Sequence, residues 1–306
     1  MASNAGGPTV VQTIGLTKTY RSGLLRGGHP ALNEADFELK AGEVCGLVGP
    51  NGAGKTTFIK TLLGVERRDA GTVRILGGMA RGVVGYVPEK PTFFEDLSGA
   101  YNLLYFSRLL CADPDRRCMD SLAEFGLKEH ADKRVREYSK GMKQRLAFAR
   151  ALLPDPKIVL LDEPFSGLDP TMIMEIRRQV KRMGESGRAV LVSSHDLSEI
   201  EEICDTVVFM KEGRMVSKER IRGGFVDRVI LRIRLETPRP DILGTLVRNG
   251  IKAMADPDNG YLVETRESEV PDVIKLIVDG GGRVTEARRD VKKVEELYSR
   301  IIIGGG

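Results

Sequence analysis

The stretch of this chain best equipped for chemistry is Gly49-Pro50-Asn51-Gly52-Ala53-Gly54-Lys55-Thr56-Thr57. It reads as G-x-x-x-x-G-K-[ST], the spacing of a loop that cradles phosphate. Gly49, Gly52 and Gly54 lack a Cβ, so the backbone can turn tightly and approach an anion. Successive N–H groups then form an anion nest, and a helix starting near Lys55 adds its positive end. Lys55 supplies a mobile charge for the β- and γ-phosphates. The Thr56 hydroxyl is placed to ligate Mg²⁺.

Carboxylates come from Ile158-Val159-Leu160-Leu161-Asp162-Glu163, an apolar strand with two acids at its C-terminal end, the edge where open α/β sheets bind ligands. Alternation sends Asp162 and Glu163 in different directions. Asp162 is expected to hold Mg²⁺, directly or through water, and Glu163 to polarise an attacking water. The plain alternative is a solvated acidic strand end. Of the three histidines, His29, His130 and His195, only His195 ends a core strand, after Ala189-Val190-Leu191-Val192-Ser193-Ser194, where a γ-phosphate contact is geometrically open. Ser139 in Tyr138-Ser139-Lys140-Gly141-Met142 is a good N-cap. Its hydroxyl and the Gly141 amide form a second anion site or a simple helix cap. Tyr20, ahead of the glycine-rich loop, either stacks on a base or is a half-buried core tyrosine.

These residues need strands and helices in a fixed order. Val44–Val48 is a short apolar run suited to a buried parallel strand, and Phe58–Gly64 reads as a helix closed by glycine. Val10–Ile14, Ala35–Leu39, Thr72–Leu76 and Val83–Val87 read as strands, with a glycine-rich loop over Ser22–Pro30. From Ser98 to about Glu137 the pattern is helical, with Leu103, Leu104, Phe106, Leu109 and Leu110 on one face and Met119, Leu122, Ala123 and Phe125 on a second helix. A helix over Leu146–Leu153 ends at Pro154. Ser166-Gly167-Leu168-Asp169-Pro170 is a turn into a helix through Ile173, Ile176, Val180 and Met183. Asp205–Lys211 and Arg214–Ser217 form a closing hairpin around Glu212-Gly213.

From about Phe225 the texture changes. Val229, Leu231, Ile233 and Leu235 alternate with charged residues. Two helical patterns, a hairpin turning over Asp256–Gly260, a strand at Arg283–Thr285 and a last helix at Val291–Ile302 follow. The order βαββαβα is that of a ferredoxin-like unit with an added helix. No catalytic constellation is visible there, and docking or regulation is the fold-level expectation.

At 306 residues the chain suits one large domain and one small one. Lys+Arg at 47 against Asp+Glu at 43 gives a net charge of +4, too small an excess to indicate nucleic-acid binding. Cys45, Cys111, Cys118 and Cys204 have no C-x-x-C spacing, which points to reduced thiols in a cytosolic protein. No secretory-leader pattern and no apolar run long enough to span a bilayer is visible in the sequence, so a spanning part is expected to belong to another polypeptide.

Taken together, in order and spacing, these motifs closely resemble the ATP-binding subunit of an ABC transporter, over roughly residues 9 to 220. The resemblance implies an α/β P-loop ATPase core at 1–222, with an antiparallel β subdomain and a helical insertion at about 90–138, and a small α+β ferredoxin-like domain at 223–306. It implies that Tyr20 stacks on adenine and that Gly49, Pro50, Asn51, Gly52, Ala53, Gly54, Lys55, Thr56 and Thr57 are Walker A. Asp162 and Glu163 are the Walker B pair, Asp169 the D-loop aspartate and His195 the switch histidine. Ser139, Lys140, Gly141 and Met142 form the signature that acts in trans. ATP and Mg²⁺ are then the substrate and cofactor, with Thr56, Asp162 and Glu89 around the metal and Glu163 and His195 catalytic. The partners implied are a second copy or a paired ATPase subunit in the ATP state, and a separate transmembrane permease. The place implied is the cytoplasmic face of the cell membrane, with no nucleic acid expected.

Two positions depart from the family pattern. The usual L-S-G-G-Q is here Tyr138-Ser139-Lys140-Gly141-Met142, and the usual Q-loop glutamine is Glu89. Glu89 with Thr92-Phe93-Phe94, and the Y-S-K-G-M-[KR]-Q-R string, resemble subunits of ABC-2-type exporters, including those linked to copper-enzyme maturation. A competing reading is a soluble ABC-type ATPase acting on nucleic acid or ribosomes. A single P-loop, a single signature and no long heptad run weigh against it. A regulatory module with a dead site is disfavoured because Lys55, Asp162, Glu163 and His195 are all present.

Overall fold

Two long strands open the chain, β1 (Thr9–Arg21) and β2 (Gly28–Lys40), paired antiparallel. They belong to a computed structural model that describes residues 7–21, 28–78, 82–221, 229–237, 239–256 and 260–290. The chain divides into two compact units, Met1–Glu219 and Arg220–Gly306.

In the first unit β3 (Val44–Val48) leads into helix α1 (Lys55–Leu62), and β4 (Ala70–Ile75) pairs with β1, giving a three-stranded antiparallel sheet in the order β2-β1-β4. β2 alternates from Glu34 onward, with Ala35, Phe37 and Leu39 buried and Glu34, Asp36 and Glu38 facing solvent; a register shift at Glu34 (φ 52°) changes the parity, so that Leu32 is buried as well. Gly28–Pro30, expected in a loop, belong to β2; residues 22–27 of that stretch lie outside the described residues.

β5 (Val84–Val87) precedes three helices, α2 (Gly99–Leu110), α3 (Pro114–Glu124) and α4 (Lys140–Leu152). Then come β6 (Ile158–Asp162), α5 (Pro170–Glu185), β7 (Ala189–Ser194), α6 (Leu197–Ile203) and the hairpin β8 (Thr206–Lys211) and β9 (Arg214–Arg220). The main sheet runs β5-β6-β7-β3-β8-β9, parallel from β5 through β8. β3, β6 and β7 are buried at every position, as strands covered on both faces must be. The turn of the hairpin needs positive φ at both central residues, and Glu212 (49°) and Gly213 (78°) supply it. Phe37 and Phe58 meet edge to face at 5.3 Å and join the antiparallel sheet to α1; burying a ring of that size stabilises by about 1.5–3 kcal/mol.

The helical insertion corrects two apolar faces. Leu109 is exposed, and the buried side of α2 is Asn102, Leu103 and Ser107. On α3, Met119 and Ala123 face out while Cys118, Ser121, Leu122 and Phe125 turn in. Small polar residues take these inner positions because each finds a partner. The Ser107 hydroxyl donates to the Pro114 carbonyl (2.8 Å) and the Ser121 hydroxyl to the Ala149 carbonyl (3.1 Å).

The second unit contains β10 (Val229–Leu235), α7 (Pro240–Arg248), β11 (Lys252–Asp256), β12 (Gly260–Thr265), α8 (Val270–Asp279) and β13 (Val284–Asp290). The sheet order β11-β12-β10-β13, all antiparallel, is the ferredoxin-like arrangement. Leu231, Ile233, Ile242, Leu246, Val263, Val273 and Ile277 form its core. The turn residues 257–259 and the last helix expected at Val291–Ile302 lie outside the described residues.

Candidate active site

Three buried strands, β3, β6 and β7, end side by side, and the loops leaving them enclose a cleft of about 370 Å³. Pro50 to Thr57 line one wall, and Ala31, Glu89, Glu163, Ser166 and His195 line the rest. Gly54 holds φ +106° as the N-cap of α1, a conformation that an L side chain would strain, and a Cβ there would strike the Ala31 carbonyl. No side chain caps α1 and no acid occupies its first turn. The exposed N–H groups therefore present partial positive charge to the cleft, as an anion site requires.

Lys55 is buried to 7% exposure; its Nζ donates to the Gly49 carbonyl (2.7 Å) and lies 3.6 Å from Glu163 Oε1. Thr56 Oγ1 donates to Asp162 Oδ1 (3.3 Å), and Ser193 Oγ donates to the same oxygen at 2.7 Å. Asp162 is 1% exposed and sits beneath the cleft. Burial pushes its carboxyl up, the two hydroxyls partly offset this, and Glu163 and Glu89 add to it. Glu163 follows the strand with φ +48°, so a left-handed backbone, and not strand alternation, turns its side chain into the cleft. Its N–H is shared between the Ser193 hydroxyl (3.0 Å) and carbonyl (3.2 Å). Glu163 Oε2 lies 2.8 Å from His195 Nδ1, whose ring is otherwise exposed.

A native state that raises a carboxyl holds its proton more tightly than the unfolded chain. The stability at stake is intact below the unfolded value, falls as pH rises through the window up to the folded value, and is fully lost above it. Asp162→Asn removes this penalty and leaves an acceptor for both hydroxyls. Without nucleotide or metal, it is expected to melt higher than wild type at neutral pH and to lose the advantage in acid, while ATP turnover is abolished. Calorimetric melting across pH, with phosphate release, checks this.

The segment Tyr138–Met142, expected to be the signature, lies outside the cleft lining. Ser139 caps α4, its Oγ accepting from Met142 N at 3.2 Å, and Lys140 is exposed. Asp169 caps α5, its Oδ1 accepting from Met172 N at 3.0 Å. The two helix starts touch: a Cβ on Gly141 would lie 3.1 Å from Met172 Cγ, and one on Gly167 would meet Lys140 Nζ. Tyr138, in place of the usual leucine, is seated where Gly99 has no side chain, and its hydroxyl donates to the His130 carbonyl at 2.7 Å. Tyr20 is 42% exposed at the end of β1, with Lys18 Nζ 5.3 Å from its ring centroid, so it is not a core residue, nor does it line the cleft.

The ABC transporter family model matches residues 32–166. YhcH of Bacillus subtilis, an uncharacterized ABC transporter ATP-binding protein, is 33% identical over 298 residues, 95% of this chain and 95% of its own. The chain belongs to the ATP-binding proteins of ABC transporters. A fluoroquinolones export ATP-binding protein of Mycobacterium tuberculosis is 35% identical over 246 residues, 77% of this chain and 79% of its own. The dimeric structure of an ATP-binding cassette in a post-hydrolysis state, bound to ADP and Pi, superposes with a TM-score of 0.64 at 25% identity, covering 70% of this chain and 99% of its own. As a member of that family the chain binds and hydrolyses ATP.

Sequence reasoning missed Ser193, whose hydroxyl donates to the Asp162 carboxylate and accepts from the Glu163 N–H, and Ser166 and Ala31 in the cleft wall. Ser193 carries a signal only once β6 and β7 are known to pair with Asp162 opposite it.

Proposed function

We propose that this subunit powers an exporter, each ATP being held between the Lys55 loop of one copy and the Ser139 segment of a second. The observation that carries the reading is the convergence of Lys55, Thr56, Glu163 and His195 on one cleft, with Asp162 directly beneath it. Ser139 and Gly141 lie off the cleft at an exposed helix start, which suits recognition of a phosphate bound to another copy. Phosphoryl transfer needs positioning and charge stabilisation more than covalent chemistry. The α1 amides and Lys55 neutralise phosphate oxygens. Glu163 orients a water and takes up its proton, and His195 fixes the Glu163 carboxylate through Nδ1. Asp169 holds the start of α5 beside the signature, and an exposed Tyr20 ring is free to stack on adenine.

The donors Thr56 Oγ1, Asp162 and Glu89 are all hard oxygens, and the buried Asp162 carboxylate gains from a cation nearby. Among the described residues no group of three or more His, Cys, Asp or Glu forms a metal cage, so Mg²⁺ would keep waters and take phosphate oxygens, as this ion usually does. When bound, the metal neutralises charge on the β- and γ-phosphates.

Among the described residues no helix is long and apolar enough to cross a membrane. A separate permease at the cytoplasmic face of the cell membrane is the partner proposed. Tyr101, Tyr105 and Leu109 form an exposed stripe on α2, with Phe94 set edge-on to Tyr105 at 5.5 Å, an apolar surface that suits a cytoplasmic segment of that permease. Export is supported by the mycobacterial relative, a fluoroquinolones export ATP-binding protein. The test is recovery of the Glu163→Gln protein from native membranes in mild detergent with ATP. A stoichiometric multi-span protein is expected by mass spectrometry; only soluble or nucleic-acid-bound partners would overturn the reading.

A further inference from the structure

Arg150 lies in the last turn of α4, and two other elements meet on its guanidinium. Its Cζ is 4.7 Å from the Phe93 ring centroid and 5.1 Å from that of Phe106, one ring on the segment after Glu89 and the other on α2. Nη1 donates to the Thr92 carbonyl at 2.8 Å. The next residue is fixed as tightly: the Asn102 amide accepts from Phe94 N (2.9 Å) and donates to Phe94 O (3.1 Å). The segment that begins with Glu89 in the cleft is therefore anchored three to five residues later to α2 and α4. A chain that short spans only about 10–17 Å even when extended, so displacement at Glu89 pulls directly on the anchor.

The same helix has two further links: one beside the cleft and one at its own start. The buried Gln144 donates to the Pro164 carbonyl at 2.9 Å, next to Glu163, and the helix begins at the Ser139 cap. Burial lowers the Arg150 pKa, the cost of a charge kept where an apolar side chain would pack. A planar guanidinium can stack on two rings while a fixed N–H meets a carbonyl, which neither lysine nor methionine reproduces.

We infer that Arg150 is a positioning residue that locks the Glu89 loop to α4, so that nucleotide engaged at Glu89 shifts Ser139 into place for the second copy. This rests on the proposed two-copy ATP site. The lock is rigid in both directions: the loop cannot follow the phosphates without moving the signature, and the signature cannot dock without resetting the loop.

The test uses the full chain with Arg150→Met, Arg150→Lys and Phe93→Leu, alone and with Glu163→Gln. ADP affinity by calorimetry reads the Lys55 loop of one copy. Phosphate release reads turnover, and light scattering with ATP reads dimer formation in the Glu163→Gln background. Arg150→Met is expected to keep ADP affinity within about twofold and its melting temperature near wild type while kcat falls about tenfold and dimer formation needs about tenfold more ATP. Arg150→Lys should recover only part of this. Phe93→Leu combined with Arg150→Met should be no worse than Arg150→Met alone, because both break the same contact. Wild-type turnover and dimer formation by Arg150→Met would overturn the inference. So would ADP affinity, turnover and melting temperature falling together, which marks a merely structural role. A Glu163→Gln chain that binds ATP yet stays single with Arg150 intact would instead overturn the two-copy reading on which the inference rests.

Discussion

Glu163→Gln should bind ATP, turn it over about 10²–10⁴-fold more slowly than wild type, and accumulate as a dimer. The reasons lie in the geometry of one side chain. A left-handed backbone at Glu163 and the Ser193 bonds to its N–H fix where the side chain leaves the chain. Glutamine is nearly isosteric and its carbonyl still accepts from His195 Nδ1, so the cleft keeps its shape. It cannot take a proton from water. It also removes a negative charge that lies 3.6 Å from Lys55 and faces the same cleft as the phosphates. Repulsion between carboxylate and phosphate therefore disappears together with hydrolysis, and both changes favour the ATP-bound dimer. Phosphate release and size-exclusion chromatography with ATP check this. A variant that turns over at the wild-type rate and stays monomeric at high concentration would contradict the role.

Lys55→Ala should weaken ATP by about 10- to 100-fold, the worth of a hydrogen bond to a charged group. Lys55 is the cation held inside the glycine loop, kept there by the Gly49 carbonyl at 2.7 Å and Glu163 at 3.6 Å. Its removal takes away the charge that meets the β- and γ-phosphates and leaves the Glu163 carboxylate uncompensated on that side. The Gly49 carbonyl also loses its donor in a nearly closed site, a further cost. Calorimetric titration with ATP reads the result directly. Unchanged affinity would show that the loop amides alone hold the nucleotide.

The cleft was legible in the sequence because its parts are local. A buried strand, a glycine turn and a helix start follow one another from Val44 to Leu62, and each obeys a short-range rule. Asp162 and Glu163 were legible as acids at the end of an apolar strand. What stayed hidden depends on pairing between distant segments. Ser193 matters only because β7 lies beside β6 with Ser193 opposite Asp162. The direction of Glu163 depends on a positive φ that no residue type announces. On α2, counting apolar residues placed Leu109 inside and overlooked Asn102, which is 1% exposed because its amide satisfies the backbone of Phe94 and Ser98. A buried polar side chain with every bond made leaves no hydrophobic signal. The ferredoxin-like order of the second unit was legible from alternation and turn residues, which again are local.

The central claim is that the ATP site is completed by a second copy, since Ser139 lies outside the cleft that Lys55 and Glu163 line. The most direct measurement places cysteines at Asn51 and Ser139 in the Glu163→Gln background, with the four native cysteines replaced. A short bifunctional thiol reagent is added with and without ATP. The account predicts a covalent dimer that forms only with ATP and only when one copy carries Asn51→Cys and the other Ser139→Cys, or each carries both. A chain that remains single under all conditions, or links the two cysteines within one copy, would contradict it.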